Sequence, residues 1–174
     1  ALVAELDRLQ KDRMERARTI ADCVEDDLGV DLDLAVEPGI GRPHIARAIA
    51  ESPADHGYQD AFDDLIGDDC PCYVQRKIPD FETGRELLAE ACGLVALAHP
   101  LRYDDPEAAL ALTERLDGVE RFYPYGRAVD AGPIDRAVED HDLLVTGGSD
   151  AHGESLGLAG LDREAYGRIE HRPT

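Results

Sequence analysis

Apolar residues recur at helical spacing along the first part of the chain. Between residues 3 and 28 this spacing predicts one long amphipathic helix, which Gly29 ends because glycine readily takes the left-handed conformation of a helix stop. Pro43 occupies the first turn of a second predicted helix, a position at which its missing N–H costs little. A third helix is predicted near residues 57 to 66, and residues 67 to 80 carry turn chemistry with a short extended stretch.

The pattern changes after residue 80, where helices begin to alternate with short apolar strands. The pairs are helix 82–91 with strand 94–98, helix 106–116 with strand 118–122, and helix 133–140 with strand 143–146. This alternation predicts an α/β fold with a parallel sheet. Three strands are too few to close a barrel of the usual eight strands. We therefore interpret residues 1–80 as a helical segment and residues 81–174 as the last βα units of a barrel or an open sheet.

Polar side chains stand at the ends of two of these predicted strands. His99 follows strand 94–98, and Asp150 and His152 follow strand 143–146 after two glycines. In α/β folds, active sites are built at the carboxyl ends of parallel strands. On an extended segment alternate residues point the same way, so Asp150 and His152 are predicted to share one side. Two imidazoles and one carboxylate predict part of a metal cluster, although three ligands do not complete one.

Each candidate also has a purely structural interpretation. His99 is alternatively a hydrogen-bonded structural histidine, and Asp150 is alternatively a helix N-cap. Arg42 and His44 open the second predicted helix, whose N-terminus attracts anions, and the planar guanidinium of Arg42 suits phosphate. The alternative for this pair is a surface helix that happens to begin with an arginine.

Other polar residues are weaker candidates. Arg102 and Tyr103 lie just past the first of these strand ends, and Glu120, in strand 118–122, is predicted to orient a ligand rather than to bind a metal. Three further histidines are predicted to be solvated surface residues: His56, His141 and His171. The chain lacks the Gly-x-Ser-x-Gly, phosphate-loop and dinucleotide-binding motifs, so metal-bound water is the predicted nucleophile.

Acidic residues dominate the charge of the chain. Its 38 aspartates and glutamates face 18 lysines and arginines, which gives a net charge of −20, and only Lys11 and Lys77 are lysines. This composition predicts a protein of a high-salt cytoplasm, where salt screens surface repulsion; an acidic mesophilic protein is the alternative. It argues against binding to duplex nucleic acid, because phosphates need lysine and arginine. No apolar run reaches the roughly 18 residues of a membrane span, so no membrane partner is predicted.

The four cysteines do not form a recognisable metal-binding pattern. Cys70 and Cys72 are too close together for the usual zinc-finger spacing, and Cys92 lies on the apolar face of a predicted helix. Reduced thiols in a cytoplasmic protein therefore fit best. A redox or metal-binding role for Cys70 and Cys72 is the minor alternative.

Three segments together resemble the PHP family, which is named for the polymerase and histidinol-phosphatase domain. In this order and spacing, they are Gly41-Arg42-Pro43-His44-Ile45-Ala46-Arg47, Leu97-Ala98-His99-Pro100 and Thr146-Gly147-Gly148-Ser149-Asp150-Ala151-His152-Gly153. The resemblance covers nearly the whole chain and is strongest for phosphoesterases that act on nucleoside 3′,5′-bisphosphates and on the 5′ ends of short RNA. The acidic, lysine-poor composition is similar to that of haloarchaeal members.

This resemblance implies a distorted seven-stranded α/β barrel, similar to a TIM barrel, that holds up to three divalent ions of Mn, Zn, Fe or Mg. His99 would bind the second ion, Asp150 the first and His152 the third. Residues 1 to 80 would be a helical insertion that caps the site. Arg42 and His44 would then bind the phosphate of a small phosphate ester or nucleotide, and the implied activity is metal-dependent phosphoester hydrolysis.

The chain departs from the family pattern because the first half of that pattern is missing. A His-x-His, a Ser-Asp-Gly, a further Asp-His, a bridging Glu and another His are not found, and the family pattern would put them before Ala1. We therefore expect the chain by itself to bind metal poorly, to be inactive and to expose a sheet edge. The alternative function is a noncatalytic PHP-like binding or structural module without a complete metal cluster.

Overall fold

The chain divides into two compact units, Ala1–Asp80 and Phe81–Thr174. A computed structural model describes residues 1–152, 154 and 156–170. Two residues discussed above, Gly153 of the last motif and the histidine His171, lie outside the described residues. Among the residues that the structure does describe, no helix combines the length and the apolar character needed to cross a membrane.

Four helical elements make up the first unit. They are α1 (Leu2–Leu28), α2 (Arg42–Glu51), the short α3 (Tyr58–Asp60) and a π-helical turn (Ala61–Ile66). The long first helix is confirmed, and it ends as predicted at Gly29, whose left-handed backbone (φ 64°) lets its N–H bond to the Glu25 carbonyl at 2.9 Å. The extended stretch predicted within residues 67–80 forms no strand with any described residue.

The core of the first unit lies between α1, α2 and the π-helical turn. One side of α1 is buried there, with Ile20 and Val24 fully inaccessible. Ile45 and Ile49 from α2 and Ile66 from the π-helical turn complete the contact, each with no exposed surface. Because these side chains recur three or four positions apart, each helix presents one apolar stripe to the others.

The prediction of reduced cysteines is wrong for two of the four. Cys23 and Cys72 form a disulfide with a Cα–Cα distance of 5.6 Å, which joins α1 to the segment after the π-helical turn, 49 residues later. Cys72 is 2% exposed, so packing against α1 brings its sulfur to Cys23, a meeting that spacing rules do not detect. Cys70 and Cys92 are free, and Cys92 is exposed rather than packed on an apolar face.

Helices and parallel strands alternate in the second unit. Its helices are α4 (Phe81–Ala91), α5 (Pro106–Ala111), α6 (Gly132–His141) and α7 (Arg163–Glu170), and its strands are β1 (Ala96–Leu97), β2 (Gly118–Phe122) and β3 (Leu144–Gly147). Short 3-10 turns follow β1 and α5. This order confirms the predicted alternation of helices and strands.

The three strands pair in the order β1-β2-β3, and both pairs are parallel. In register, Leu97 pairs with Val119, which in turn pairs with Val145. Val119 is fully buried, and Ile134 of α6 and Leu143 pack with it in the core of this unit. The α/β prediction with a parallel sheet is thus confirmed. The described residues form an open sheet rather than a closed barrel, so the barrel stays a prediction.

Candidate functional site

Candidate residues gather where the three parallel strands end. His99 comes two residues after β1, Tyr123 comes directly after β2, and Asp150 comes three residues after β3. Because the strands are parallel and in register, their carboxyl ends lie at one edge of the sheet. This is the edge at which α/β folds place their ligands.

The backbone and ring of His99 are held by different neighbours. Its N–H donates a hydrogen bond to Glu120 Oε2 at 2.7 Å, and its backbone is left-handed (φ 32°), a conformation that a residue other than glycine seldom takes. The ring packs edge-on against Tyr123, with 5.3 Å between ring centroids. The buried Nδ1 atom has no hydrogen-bond partner among the described residues. Glu120 therefore fixes the main chain of His99 and leaves a ring nitrogen available to a ligand.

The carboxylate of Asp150 is hydrogen-bonded to a tyrosine. The Tyr123 hydroxyl donates a hydrogen bond to Asp150 Oδ2 at 2.8 Å, and an Arg102 guanidinium nitrogen lies 3.8 Å from the same oxygen. The Tyr123 hydrogen bond lowers the pKa of Asp150, and the nearby His152, His99 and Arg102 act in the same direction. The carboxylate is therefore ionised at neutral pH. No described helix begins at Asp150, so the N-cap alternative is not supported.

His152 was predicted to face the same side as Asp150 because the segment was expected to be extended. That expectation is wrong. Asp150 has a left-handed backbone (φ 46°), so the segment is not extended there. As a result, His152 Nδ1 lies 2.6 Å from the carbonyl oxygen of Asp150 and 3.9 Å from Oδ1 of its carboxylate. The His152 side chain is 83% exposed. Metal binding by His152 stays a prediction.

The donor set of His99 and Asp150 suits a divalent metal but is incomplete. Both side chains contact Tyr123, which brings one free imidazole nitrogen and one ionised carboxylate to the same place. Imidazole and carboxylate together bind Zn, Mn and Fe, which take four or more ligands. Within the described part of the chain, no group of three or more His, Cys, Asp or Glu side chains is arranged to hold a metal. Further ligands are therefore needed for a working site.

A cavity of about 520 Å³ opens beside these residues, and we call it the strand-end cavity. It is lined by seven residues from the two loops that follow β1 and β2: Leu101, Arg102, Tyr103, Tyr123, Pro124, Tyr125 and Arg127. The Arg102 guanidinium donates a hydrogen bond to the Tyr123 hydroxyl at 2.7 Å, so one chain of contacts runs from Arg102 through Tyr123 to Asp150. Two arginines give the cavity the positive charge that a phosphate group requires.

Tyr123 and Tyr125 are candidate site residues that were not predicted from the sequence. Tyr123 links His99, Arg102 and Asp150, and the Tyr125 hydroxyl accepts a hydrogen bond from the Leu101 N–H at 3.3 Å. Burial raises the pKa of Tyr125, so its phenol stays protonated. The signal was present, since Tyr123-Pro124-Tyr125 follows a predicted strand directly, as His99 does.

Arg42 and His44 lie in the other unit, in the first turn of α2. His44 Nδ1 accepts a hydrogen bond from the Gly41 N–H at 3.2 Å, which closes the start of the helix. The Arg42 guanidinium pairs with Asp68 Oδ1 at 2.9 Å and lies over the Tyr73 ring, 5.6 Å from its centroid. The pair is thus together on one helix start, and its predicted role in phosphate binding stays a prediction.

The remaining histidines differ from each other. His141, at the end of α6, is exposed as predicted. The prediction holds only in part for His56, which is half-buried and whose Nδ1 atom is buried without a hydrogen-bond partner among the described residues.

Comparison with known proteins gives one curated relative, while no family model matches the chain. The relative is phosphoribosyl 1,2-cyclic phosphate 1,2-diphosphodiesterase of Eggerthella lenta, which is 27% identical over 155 residues. The matched region covers 85% of this chain and 55% of the relative. The chain therefore spans about half the length of the curated protein that it matches.

Two solved structures share the fold over nearly the whole chain. A Bifidobacterium adolescentis protein, inferred to be a metal-dependent phosphoesterase, has a TM-score of 0.66 and 26% identity over 95% of this chain and 64% of its own. An amidohydrolase of Chromobacterium violaceum, solved with bound sulfate, has a TM-score of 0.67 and 24% identity over 95% of this chain and 66% of its own; this likeness concerns the fold alone. The chain is related to phosphoesterases, and the fold is consistent with a PHP-like one.

Proposed function

We propose that the protein is a metal-dependent phosphoesterase that hydrolyses small, nucleotide-type phosphate esters with metal-activated water. The observation that carries this proposal is the meeting of His99 and Asp150 at Tyr123. One of them offers a free ring nitrogen and the other an ionised carboxylate, at the carboxyl edge of a parallel sheet and beside a cavity with two arginines. The description of the Bifidobacterium adolescentis neighbour as a metal-dependent phosphoesterase supports the metal.

The metal ligands in this proposal are His99, Asp150 and His152, together with ligands beyond this set. Up to three divalent ions, of Mn, Zn, Fe or Mg, would be held. Bound there, they would supply an acidified water as nucleophile and would polarise the phosphate oxygens. His152 reaches this role only if its ring leaves the Asp150 carbonyl oxygen that it now contacts.

The remaining residues of the site prepare these ligands and bind the phosphate. Tyr123 keeps Asp150 ionised by donating to its carboxylate, so that no proton has to leave before a metal binds. Glu120 holds the main chain of His99, which fixes the position of its ring. Arg102 and Arg127 line the strand-end cavity, where their charge offsets that of the phosphate oxygens.

Arg42 and His44 are proposed to bind a phosphate group of the substrate. They open α2, where the helix dipole favours an anion. Arg42 is already held by Asp68 and Tyr73, so its guanidinium would need little ordering on binding.

The test is the substitution Asp150→Asn in the protein at its natural full length. We expect manganese-dependent release of phosphate from aryl phosphate and nucleotide esters to fall by roughly a hundredfold or more, because a metal ligand is lost. Asp142→Asn is the matched control, since Asp142 is also an exposed aspartate with a left-handed backbone (φ 48° against 46°). Asparagine tolerates that backbone in both positions.

Equal turnover by wild type and Asp150→Asn would contradict the proposal. If the wild type neither binds manganese nor releases phosphate, the noncatalytic PHP-like module becomes the better account. In that case the curated relative would share the fold of this chain without sharing its chemistry.

A further inference from the structure

The two halves of the Cys23–Cys72 disulfide differ in their exposure to solvent. Cys72 is 2% exposed, whereas Cys23 of α1 is only half-buried. A thiolate opens a disulfide by attacking one of its two sulfurs, so access decides which sulfur reacts. In this bond the accessible half is Cys23, and the half that leaves as a thiol is Cys72.

Carboxylates flank the accessible half of the bond. Asp26 and Asp27 follow Cys23 by three and four positions on α1, so they share its face of the helix, and both are exposed. They repel a thiolate that carries a second negative charge, but they do not repel one that is joined to an ammonium group. The surroundings of Cys23 therefore favour a cationic thiol over an anionic one.

The chain that follows Cys72 is anchored to the first unit by this bond. Residues 73–80, which we call the strap, form neither helix nor strand. Within the strap, all of which the structure describes, only Val74 and Pro79 are half-buried, and the other residues are exposed. Cys72 is thus the fully buried anchor next to a largely exposed segment.

Hydrogen bonds at Val74 and Lys77 also join the backbone of the strap to α1. Arg16 donates to the Val74 carbonyl oxygen, and Arg8 donates to the Lys77 carbonyl oxygen at 2.9 Å. The Lys77 N–H donates to Asp12 Oδ2 at 3.3 Å. The two contacts at Lys77 are exposed, so water competes with them and each stabilises the strap only slightly.

The core of the first unit is built without the strap. Its fully buried isoleucines, among them Ile20, Ile45 and Ile66, come from α1, α2 and the π-helical turn. These elements all end before residue 67 and pack directly on one another. Opening of the disulfide should therefore free the strap while the helices stay packed.

We propose that Cys23 is the site at which a small cationic thiol exchanges with the disulfide, and that this exchange releases the strap from α1. The incoming thiolate forms a new S–S bond with the Cys23 sulfur. The old bond breaks with its electron pair on the Cys72 sulfur, which takes up the proton that the incoming thiol has lost. A second molecule of the thiol then attacks the mixed disulfide, so that two small thiols are oxidised to their disulfide while Cys23 and Cys72 are reduced.

Release of the strap also affects the start of α2. Arg76 of the strap lines one pocket together with Arg42 and His44, so release removes one wall of that pocket. The exchange at Cys23 would thereby change how strongly these two residues of α2 hold a ligand. This consequence rests on the function proposed for Arg42 and His44, whereas the exchange and the release of the strap do not.

The site of exchange is tested with two small thiols of opposite charge, cysteamine and 2-mercaptoethanesulfonate, on the oxidised protein at its natural full length. Each reaction is quenched with iodoacetamide, and the modified cysteines are located by mass spectrometry of peptides. Each rate is divided by the rate of the same thiol with hydroxyethyl disulfide, an uncharged reference. We expect the mixed disulfide on Cys23 and the carbamidomethyl group on Cys72. Cysteamine should react faster by about threefold or more at low salt, and the difference should shrink as salt is added.

Release of the strap is measured as the rate of trypsin cleavage after Arg76 and Lys77. Cysteamine should raise this rate by about tenfold or more, because cleavage follows the population of the open form and loss of a cross-link increases that population. The helical signal in far-ultraviolet circular dichroism should stay unchanged, since the helices remain packed.

Two double variants, each lacking two cysteines, serve as a matched pair. Cys23→Ala with Cys72→Ala should be cleaved at the fast rate with or without cysteamine. Cys70→Ala with Cys92→Ala removes the two free thiols and should respond to cysteamine as the wild type does. An equal response would show that the attacking thiol comes from outside the protein.

Several results would overturn this inference. They are a mixed disulfide on Cys72, equal normalised rates for the two thiols, and cleavage of the strap that does not respond to cysteamine. Loss of the helical signal on reduction would also overturn it, because the bond would then support the whole unit. None of these measurements involves metal or turnover, so a protein that hydrolyses phosphate esters without releasing the strap keeps the proposed function and loses this inference. The reverse result keeps the strap and loses the proposed function.

Discussion

The hydroxyl of Tyr123 donates a hydrogen bond to Asp150 Oδ2 across 2.8 Å, and this contact joins the loop after β2 to the loop after β3. Tyr123 also packs against the ring of His99, so one tyrosine contacts two of the three metal-ligand candidates. The tyrosine acts as a positioning residue, which holds the carboxylate in its ionised form and the imidazole in its orientation. A change at Tyr123 should therefore alter the site without altering the core.

Tyr123→Phe should raise the pKa of Asp150 toward its ordinary value, because the hydrogen bond from the hydroxyl is the largest cause of the lowering. In the wild type the lowered pKa contributes stability above the unfolded-state pKa of Asp150. That contribution is lost as the pH falls through the lower folded-state pKa. In the variant, the Asp150 carboxylate should thus protonate at a higher pH. The measurement is an NMR titration of the Asp150 side-chain carbon.

Tyr103→Phe is the control for that titration. Tyr103 also lies beside His99, with 6.0 Å between ring centroids, but its hydroxyl does not contact Asp150. If Tyr103→Phe shifts the Asp150 titration as much as Tyr123→Phe does, the hydrogen bond is not the cause of the low pKa.

The Cys23–Cys72 disulfide should stabilise the first unit considerably. It closes a loop with a sequence separation of 49 residues, and Cys23→Ala with Cys72→Ala should lower the free energy of unfolding by about 2–4 kcal/mol. The measurement is urea unfolding with and without a reducing agent. Reduced wild type should unfold close to the double variant, while Cys92→Ala, at an exposed free thiol, should unfold like oxidised wild type. Identical midpoints for oxidised and reduced wild type would mean that the bridge does not form.

Gly147→Ala should disturb the sheet at the edge that carries the site. A Cβ at Gly147 would lie 2.7 Å from Phe122 Cβ and 2.9 Å from the Phe122 carbonyl oxygen, and backbone cannot give way as the end of a side chain can. We expect a loss of about 1–3 kcal/mol in the free energy of unfolding, as for overpacked cores. Gly160→Ala is the control, because a Cβ there has no neighbour within 4 Å. Equal stability of the two variants would show that β2 and β3 are less closely packed than the structure has them.

The elements that were predicted well from the sequence are those whose apolar pattern lies within the element itself. The first helix and β2 lie almost or fully at their predicted bounds, because apolar spacing reports one buried stripe or one buried strand. β1 is shorter than predicted, at Ala96–Leu97 instead of residues 94–98, since β2 is its one partner among the described strands and its neighbour Ala98 is exposed.

Features that depend on tertiary packing could not be predicted from the sequence. The disulfide forms because Cys72 packs against α1, and a pocket of about 340 Å³ is lined by arginines that come from α1, from α2 and from the segment near Arg76. The left-handed backbone at Asp150 was also not predicted from the sequence pattern. Because of it, the His152 ring contacts the Asp150 carbonyl oxygen and does not take its predicted direction. The predicted location in a high-salt cytoplasm stays a prediction. Disulfides such as Cys23–Cys72 are rare in proteins of a reducing cytoplasm.

Metal binding at His99 and Asp150 is the central claim, and the position of a bound ion tests it most directly. The measurement is paramagnetic broadening of assigned NMR signals as Mn²⁺ is added to the protein at its natural full length, for wild type and for Asp150→Asn. We predict that the signals of His99, Tyr123 and Asp150 broaden first in the wild type, and that this priority is lost in the variant. Broadening that begins on the acidic surface instead, and is the same in both proteins, would contradict the account.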